Sequence, residues 1–395
     1  MSKDARSPVI VSAFLRKQST RAEFDMYFDL TDEQQAIKST ARDFLAARYK
    51  SERIRSLAEG EHGFEQSDWE EMAELGWPGL ALPEKWGGQG LGVADLAVLF
   101  EEMGYALAPS PLLSNTVVGL ALSLCGSDEQ RERLLRPLAE GKLRGTPALW
   151  DAGSSATIGE FAMEARADGD GLVLDGEKVL VMDAATADVL LVATSDGRRH
   201  VVERDAAGVT IVPATSIDLT RRLYSVRFEG VRVGSENSLP AAGPDYFQVF
   251  HRVCVALAAE STGIAQRTME MAVSYAKDRQ QFGRPIGSYQ AVSHRCAQML
   301  LETENSRSAV YGAAWAADAE PASLPTAASM AKAYASDAGW RVPDASIQVH
   351  GGIGFTWEHD LHFFLKRGKA NAAMFGDAKW HRERVADAVL AGVAA

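Results

Sequence analysis

The sequence predicts a mainly helical α+β protein in which a small β domain separates two helical domains. Residues 30–146 carry apolar side chains at helical spacing, residues 157–234 contain many short β-prone runs, and helical spacing returns from Pro244 onward. We therefore expect an N-terminal helical domain, a middle β domain and a C-terminal four-helix bundle, preceded by a short extension. In chain order, the extension and the three domains have the boundaries 1–25, 26–146, 147–240 and 241–395.

The composition is ordinary for a globular protein, and the net charge disfavours some classes of binding partner. Of 395 residues, 46% are apolar and 24% are charged, and the formal net charge is −12. This acidity disfavours a general nucleic-acid or anionic-membrane binder, although a local basic pocket could still hold an anionic ligand. No apolar run reaches the roughly 18 residues that a spanning helix needs. We expect a cytoplasmic protein that binds neither nucleic acid nor membrane.

The cysteines indicate neither a disulfide framework nor a metal site. Cys125, Cys254 and Cys296 are odd in number, widely spaced and flanked by apolar residues. This pattern is typical of reduced, mostly buried thiols in a cytosolic protein. No Cys-x-x-Cys pair or His/Cys cluster has the spacing of a metal-ligand set, so we expect no metal.

The first 25 residues read as an extension to the folded chain. They mix basic residues such as Lys3 and Arg16 with acids, and they lack the apolar core and cleavage site of a signal peptide. A folded sequence begins at Met26-Tyr-Phe-Asp-Leu-Thr-Asp-Glu33. We expect Met26 to be a true or alternative start and residues 1–25 to be disordered.

The N-terminal domain contains clear helix start signals. Thr31 is followed by Asp32 and Glu33, whose carboxylates suit the positive end of a helix dipole. Ser127 precedes Asp-Glu-Gln130 in the same way. The helical segments predicted from apolar spacing are Gln34–Ala47, Ala94–Ala106 and Gln130–Leu138, with proline- and glycine-rich loops between residues 77 and 90.

The middle domain is predicted from short runs of β-branched and apolar residues. The last run, residues 226–233, alternates apolar and polar positions with a period of two. Asp175-Gly176 lies between two runs and predicts a hairpin turn. The runs are residues 171–174, 179–182, 189–192, 209–212 and 226–233.

The C-terminal domain returns to helical patterning. Apolar residues recur at i, i+3, i+4 and i+7 from Tyr246 to Lys277. A loop at Glu320–Pro325 separates the second helix from the third. The remaining helices are predicted over Gln290–Ala317, Ala327–Ile347 and residues 377–393.

Several segments, taken in order, resemble the acyl-CoA dehydrogenase family across residues 26–392. The most specific are Arg279-Gln-Gln-Phe-Gly283 and Gln348-Val-His-Gly-Gly-Ile-Gly-Phe355, and Leu75–Gly90, Leu174–Lys178 and Val226–Val231 support them. The resemblance implies a flavoprotein that uses FAD to oxidise an acyl-CoA thioester. In that reaction a base removes the α proton while the β hydrogen leaves as hydride to the flavin.

Arg279 is the first candidate cofactor residue. A pyrophosphate needs guanidinium or backbone N–H groups to replace its lost water. The resemblance implies that Arg279, Gln281 and Phe282, with Gln290 nearby, reach a flavin held mainly by a neighbouring subunit. The alternative is that Arg279 pairs with a carboxylate on a helix.

The glycine-rich segment after the third C-terminal helix is the second candidate. Gly351 and Gly352 would let the backbone approach a ligand and direct N–H groups at it, and Gln348 offers an amide. The resemblance adds Val349 to this set. The alternative is that these glycines merely end a helix. A nicotinamide-binding fold is disfavoured because the segment follows a helix rather than a strand.

The catalytic base of the family is missing where it is expected. The family glutamate precedes a Gly-Thr pair, and this chain has Phe375 before Gly376-Asp377. An alternative family position on the preceding long helix carries Val253-Cys254. Two carboxylates nearby are weak candidates. Asp377 could instead cap a helix, and Glu260 lies about two turns from the alternative position.

Two segments that touch the flavin in the family are also altered. The family's Thr-Glu-Pro-x-x-Gly-Ser-Asp loop corresponds to Ala148–Ser155, where only Gly153 and Ser154 agree. The Trp-Ile-Thr element that stacks on the flavin ring corresponds to Leu180-Val-Met182. The residues for a flavin ring in this chain's own pocket are therefore eroded, whereas those that reach a neighbour's flavin remain.

This asymmetry suggests the subunit without a base in a heteromeric acyl-CoA dehydrogenase, with a paralogous partner that carries the glutamate. Residues 217–221 and 354–361 resemble the actinobacterial branch that acts on steroid side-chain CoA thioesters. We expect a tetramer and an acyl-CoA substrate. Two alternatives stay open: a self-sufficient homotetramer that uses Asp377 or Glu260, and a non-catalytic scaffold.

Overall fold

The computed structural model describes residues 29–154, 157–159, 161–240 and 244–393, so the extension predicted over residues 1–25 lies outside the described residues. The predicted order of helices, strands and helices is confirmed. None of the helices in the described part of the chain has the length and apolar character that a membrane crossing requires.

The described part of the N-terminal domain is a set of six helices around buried aliphatic and aromatic side chains. Helix α4, Val93–Ala106, is buried along almost its whole length and lies inside the domain. Helix α6 begins as Asp128–Gln130, widens into a π turn over Arg131–Leu135 and ends as Arg136–Ala139. The other five are α1 Asp32–Arg48, α2 Ser51–Glu59, α3 Gln66–Glu74, α4 Val93–Ala106 and α5 Leu112–Cys125.

Both predicted helix start signals form complete capping boxes. The Thr31 hydroxyl accepts from the Gln34 backbone N–H while the Gln34 side chain bonds back to the Thr31 N–H. Ser127 and Gln130 exchange the same pair of bonds. Each box satisfies backbone donors that the first helical turn leaves unpaired, so the two helices start where the sequence indicates.

The described residues of the middle domain form two small sheets. One has the strand order β2-β4-β8-β7 with β3 paired to β4, and the other has the order β1-β5-β6, in which β1 and β5 are parallel. Buried side chains from both sheets form a separate apolar cluster. The strands are β1 Gly145–Ala148, β2 Trp150–Asp151, β3 Ala165–Asp168, β4 Gly171–Met182, β5 Val189–Ala193, β6 Arg199–Glu203, β7 Val209–Pro213 and β8 Leu223–Val233.

The hairpin predicted at Asp175-Gly176 is wrong. These residues lie inside the continuous strand β4, where the register against β8 shifts between Leu174 and Gly176. Gly176 has φ +142°, and the Asp175 carboxylate accepts from the Gly230 N–H at 2.7 Å. The Asp-Gly pair therefore marks a bulge opposite Gly230, since glycine also suits bulges.

The C-terminal domain is built on three long helices and two shorter ones. Helices α7 and α9 run in the same direction, since Gly339 meets Ser261 and the Ser346 hydroxyl donates to the Thr268 carbonyl at 2.8 Å. The sequence pattern did not indicate α10. The helices are α7 Pro244–Asp278, α8 Gln290–Ala319, α9 Leu324–His350, α10 Leu361–Ala373 and α11 Ala378–Val393.

The N-terminal domain meets the C-terminal bundle through backbone contact between α4 and α7. A Cβ atom at Gly104 would lie 1.9 Å from the Glu260 carbonyl oxygen, and one at Gly263 would lie 1.9 Å from the Glu101 carbonyl oxygen. Only glycine fits at both points. This close crossing fixes α7, which lines the candidate site, against the N-terminal helices.

Candidate functional site

The predicted cofactor residues gather at one end of the C-terminal bundle. The rings of Tyr275 in α7 and His350 in α9 stack with centroids 4.5 Å apart. Gly287, just before α8, approaches Ala276 of α7 at the same end. The loop that begins at Arg279, the start of α8 and the glycine segment after α9 are therefore neighbours, and we call this region the cofactor end.

The loop from Arg279 is a tight hairpin, with β9 at Gln280–Gln281 and β10 at Arg284–Pro285. Its tip residues Phe282 and Gly283 have φ +53° and +78°, as a two-residue type I′ turn requires. The Tyr289 hydroxyl donates to the Gln281 carbonyl at 3.1 Å. The turn holds the Phe282 ring outward, with 93% of the residue exposed.

Arg279 is exposed on this hairpin. No carboxylate of the described residues forms an ion pair with it, so the alternative of a helix ion pair finds no support in the structure. The guanidinium is available for an anion at the cofactor end. Gln281 and Gln290 are likewise exposed.

The glycine segment forms a short 3₁₀ turn over Gly351–Phe355 after α9. Gly351 has φ +65°, and no heavy atom lies within 4 Å of a Cβ built on Gly351 or Gly352. The backbone is therefore open to an approaching group. Gln348 is exposed beside it, whereas the Val349 side chain is buried in a cluster with residues of α7.

Large apolar side chains are exposed at the cofactor end. Phe355 has 75% of its surface exposed, and Ile353 and Trp357 are also exposed, as is Phe282. A group of exposed aromatic and aliphatic residues of this kind is typical of a protein–protein interface. The cofactor end thus combines an unpaired cation, an open backbone and an apolar surface.

Phe375 occupies the position expected for the base and is only 2% exposed. Its backbone has φ +55°, an unusual conformation for an aromatic residue. Two hydrogen bonds hold this conformation: His381 Nε2 lies 2.9 Å from the Phe375 carbonyl oxygen, and Lys332 Nζ donates to the Gly376 carbonyl at 3.0 Å. The ring points into the protein and packs against Trp150 and Phe250.

The cavity beside Phe375 is small. Its volume is about 40 Å³, which is room for about three water-sized groups. Arg199 is its one charged lining residue among those described, and the lining contains no carboxylate. An acyl chain therefore finds little space beside Phe375.

Asp377 is exposed and caps helix α11. Its Oδ1 accepts from the Trp380 backbone N–H at 2.8 Å, three residues on. This is the geometry of an N-cap, the predicted alternative to a catalytic role. The carboxylate is engaged with the helix rather than with the cavity.

Glu260 is buried in an ion cluster between the domains. Its carboxylate accepts from Arg221 at 2.8 Å and 2.9 Å, from Arg367 at 2.6 Å and from Asn371 at 3.0 Å. Asp218 pairs with the other side of Arg367. Burial acts to raise the pKa of Glu260, but the two guanidinium groups outweigh it and lower the pKa to about 2. A carboxylate held in this way is a poor proton acceptor, so the geometry disfavours Glu260 as a base.

The alternative base position offers no base either. Cys254 is fully buried, and its Sγ lies 3.7 Å from the Phe375 carbonyl oxygen and 4.0 Å from His381 Nε2. Burial raises the pKa of Cys254 to about 12 and lowers the pKa of His381 to about 3. Both side chains are therefore neutral and serve to hold the Phe375 backbone.

Comparison with known proteins identifies the family. The acyl-CoA dehydrogenase N-terminal domain matches residues 31–142, and the C-terminal domain of the same family matches residues 248–390. The acyl-CoA dehydrogenase IpdE2 of Mycolicibacterium smegmatis is 31% identical over 357 residues, which is 90% of this chain and 98% of the relative. This chain belongs to the acyl-CoA dehydrogenase family.

Solved acyl-CoA dehydrogenase structures share the whole fold. A variant of the Tcur3481-Tcur3483 steroid ACAD superposes with a TM-score of 0.84 at 31% identity, covering 92% of this chain and 99% of that one. The ChsE4-ChsE5 complex of Mycobacterium tuberculosis also gives 0.84, at 25% identity and with the same coverage. Acyl-CoA dehydrogenases are FAD-binding oxidoreductases, so FAD is the cofactor to be fitted here.

The cofactor end fits the phosphate part of FAD. Arg279 offers a guanidinium without a carboxylate partner among the described residues, and Gly351 and Gly352 offer open backbone. Guanidinium and backbone N–H groups are the donors that a pyrophosphate needs. Gln348 adds an exposed amide.

The segments that correspond to the family's flavin-ring contacts are partly closed by contacts within this acyl-CoA dehydrogenase. Lys178 is fully buried and donates to Asp151 Oδ1 at 2.8 Å, while Asp151 Oδ2 accepts from the Ala162 N–H at 2.7 Å. Val181 and Met182 are buried, whereas Leu180 at the start of the same element is 39% exposed. The lysine anchor of this closed loop was not found by sequence reasoning, because a lysine in a strand normally indicates the solvent-facing side.

Proposed function

We propose that this chain is the subunit without a catalytic base in a heteromeric, FAD-dependent acyl-CoA dehydrogenase that introduces an α,β double bond into an acyl-CoA thioester. The observation that carries the proposal is the buried Phe375 at the position of the base, beside a cavity of only about 40 Å³. The base is then to be found on a partner chain.

The contrast between the two halves of the site supports this proposal. The half that would take a substrate and a flavin ring within this chain is filled by Phe375, Trp150 and the Asp151–Lys178 ion pair. The half that would face a neighbour is open, exposed and apolar around Phe282. A self-sufficient enzyme needs both halves in every subunit.

The names of the similar proteins agree with this assignment. The two structural neighbours are each named for two components, and one of them is named a steroid ACAD. We therefore infer a paralogous partner within a tetramer and a bulky acyl-CoA, such as a steroid side-chain thioester, as substrate.

Each residue of the cofactor end has a distinct task in this proposal. Arg279 binds and neutralises the pyrophosphate of FAD, and the N–H groups near Gly351 and Gly352 bind the same region. The exposed rings of Phe282 and Phe355 exclude water from the contact with the partner. FAD supplies the acceptor for the hydride that leaves the β carbon.

Co-expression with a paralogue that carries the glutamate tests the proposal. The chain alone should be weakly coloured and inactive, whereas the co-purified complex should contain flavin and oxidise a bulky acyl-CoA in a dye-reduction assay. Arg279→Gln in the complex should lower its flavin content and raise the Kd for FAD about tenfold or more, since a charge-assisted contact is lost. Arg232→Gln is the matched control, because Arg232 is exposed on β8 of the middle domain.

Stoichiometric flavin and full turnover by the chain alone would contradict the proposal and favour a homotetramer. Failure of both the chain and its complexes to bind FAD or CoA, shown by absorbance spectra and a CoA titration, would instead indicate a scaffold.

A further inference from the structure

A second cavity lies between the N-terminal helices and the C-terminal bundle, and neither Phe375 nor the cofactor end lines it. Its volume is about 430 Å³, within the range of roughly 300–1,000 Å³ that is typical of small-molecule sites. Its walls come from α1, the start of α2, the end of α4, α7 and the first turn of α10, and we call it the α1–α7 cavity. The proposed subunit role does not use it.

Both carboxylates that line the α1–α7 cavity among the described residues already have cationic partners. Glu102 is buried, and Arg42 donates to it from Nη2 at 2.9 Å and also from Nε. Asp360 accepts from the Ser51 hydroxyl at 2.8 Å and pairs with Arg55. The negative charge of the cavity wall is therefore compensated within the protein.

Two cations in the same wall have no carboxylate within ion-pair distance in the described part of the chain. Arg267 is half-buried, and its Nη1 donates to the Tyr105 hydroxyl over a long 3.4 Å. Lys50 is exposed and likewise forms no ion pair. A guanidinium carries five N–H donors, so most of those of Arg267 remain available to an anion.

The ring of Tyr105 supports the position of Arg267. The guanidinium carbon of Arg267 lies 5.3 Å from the ring centroid, and that of Arg42 lies 3.5 Å from it. Glu102 pairs with Arg42 and not with Arg267, so the positive charge of Arg267 is left for a ligand. Its planar fork matches a carboxylate, whose two oxygens can accept two parallel N–H bonds.

The rest of the wall is apolar and large enough for an alkyl chain. Ala46 is exposed, and Ala106 and Met271 are partly exposed, so these three side chains offer apolar surface to a ligand. At roughly 30 Å³ for each non-hydrogen atom of a liquid, the cavity holds about 14 such atoms. The remaining apolar residues of the lining are Leu45, Ile54 and Phe364.

We propose that the α1–α7 cavity binds a medium-chain alkyl carboxylate, with the carboxylate on Arg267 and the alkyl chain against Ala46, Ala106 and Met271. The ligand is a free acid and not a thioester, and no bond is made or broken. The site lies within one chain and shares no residue with the cofactor end. It therefore goes beyond the proposed subunit role and does not depend on it.

Calorimetric titration of the whole purified chain with octanoate, and with octanamide as the neutral analogue, tests the chemistry of the site. Octanoate should bind saturably at one equivalent per chain, and octanamide at least tenfold more weakly. Decanoate should bind about tenfold more tightly than octanoate, because two more methylene groups are buried. Equal binding of octanoate and octanamide, non-saturable binding, or affinity independent of chain length would overturn the proposal.

The variant Arg267→Met tests the place of the carboxylate. It should weaken octanoate binding about tenfold, the effect of losing hydrogen bonds from a charged group. It should stay folded, as its melting temperature will show, because it loses only the long bond to Tyr105. Arg227→Met is the matched control: Arg227 is exposed on β8 and does not line the cavity, so the same charge is removed without effect on binding.

A second pair of variants tests the cavity itself by filling it. Ala46→Trp should weaken octanoate binding about tenfold or more, because the indole takes the space of the alkyl chain. Ala47→Trp is its control, since Ala47 is the next residue of α1, equally exposed, and does not line the cavity. Unchanged affinity in the folded Arg267→Met or Ala46→Trp, or an equal loss in Ala46→Trp and Ala47→Trp, would overturn the proposal and leave the subunit role untouched.

Discussion

The rings of Phe375 and Trp150 meet edge to face with centroids 5.0 Å apart, and this contact closes the position where the family has its base. Trp150 belongs to β2 of the middle domain, and Phe375 lies between α10 and α11 of the bundle. Aromatic pairs in this arrangement add stability beyond their buried area. The residue that replaces the base therefore joins two domains.

Restoring the family's residue should fail to restore activity. Phe375→Glu removes the contact with Trp150 and places a carboxylate beside an apolar cavity of only about 40 Å³. We expect no thioester oxidation by the variant alone and a loss of about 3–5 kcal/mol in the free energy of unfolding at pH 8.

The loss of unfolding free energy in Phe375→Glu should depend on pH. Burial raises the pKa of the new carboxyl above its unfolded value, so the stability that the protonated form provides is lost as pH rises through the folded pKa. Urea denaturation at pH 5 and pH 8 checks this. Phe375→Leu, which keeps an apolar side chain, should show no such difference, and turnover by Phe375→Glu alone would contradict the prediction.

Asp377 should be dispensable for chemistry. Asparagine caps helices as well as aspartate does, so Asp377→Asn should change neither the melting temperature nor the turnover of the active complex. Asp377→Ala loses the bond to the Trp380 N–H and should cost about 1 kcal/mol. A large loss of turnover in the folded Asn variant would show that Asp377 is the base after all.

Glu260 should act on stability rather than on the reaction. Glu260→Gln leaves Arg221 and Arg367 with one buried carboxylate, Asp218, and should cost about 3–5 kcal/mol in the free energy of unfolding. Chemical denaturation measures this loss. Glu229→Gln is the control, because Glu229 is exposed on β8, and it should be close to neutral.

The ion cluster also predicts the direction of acid unfolding. The folded pKa of Glu260 is about 2, below its unfolded value, so its contribution is present above the unfolded pKa and is lost as pH falls toward 2. The wild-type chain should lose stability between about pH 5 and pH 2. That loss should be smaller in Glu260→Gln, and parallel pH profiles for the two proteins would contradict the assignment.

The fold was predictable because its signals are local. Capping boxes at Thr31 and Ser127 and the periodicity of α7, α8 and α9 depend on neighbouring residues alone. The hairpin prediction at Asp175-Gly176 was wrong because an Asp-Gly pair suits both a hairpin turn and a bulge. The pairing of β4 with β8, which the local sequence does not show, decides between them.

The site was predictable only in part, for a physical reason. The prediction for Arg279 and the glycine segment rests on residue types and their order in the sequence. Roles that depend on a distant partner carry no such signal: Glu260 meets Arg221 and Arg367 only after folding. The same holds for Arg42 and Arg267, which are far apart in sequence and lie against the ring of Tyr105.

The exposed ring of Phe282 provides a test of the interface that does not depend on turnover. Its 93% exposure means that Phe282→Asp removes no contact within the folded core. The fold should therefore be unchanged by circular dichroism. Placing a charge in an apolar contact should weaken association with the partner by about tenfold or more, as for a buried anchor residue. Sedimentation velocity of the co-expressed complex measures this.

Val212→Asp, on the exposed edge of β7, is the matched control. Dissociation in Phe282→Asp but not in Val212→Asp places the interface at the cofactor end, whereas equal behaviour of the two variants would move it elsewhere.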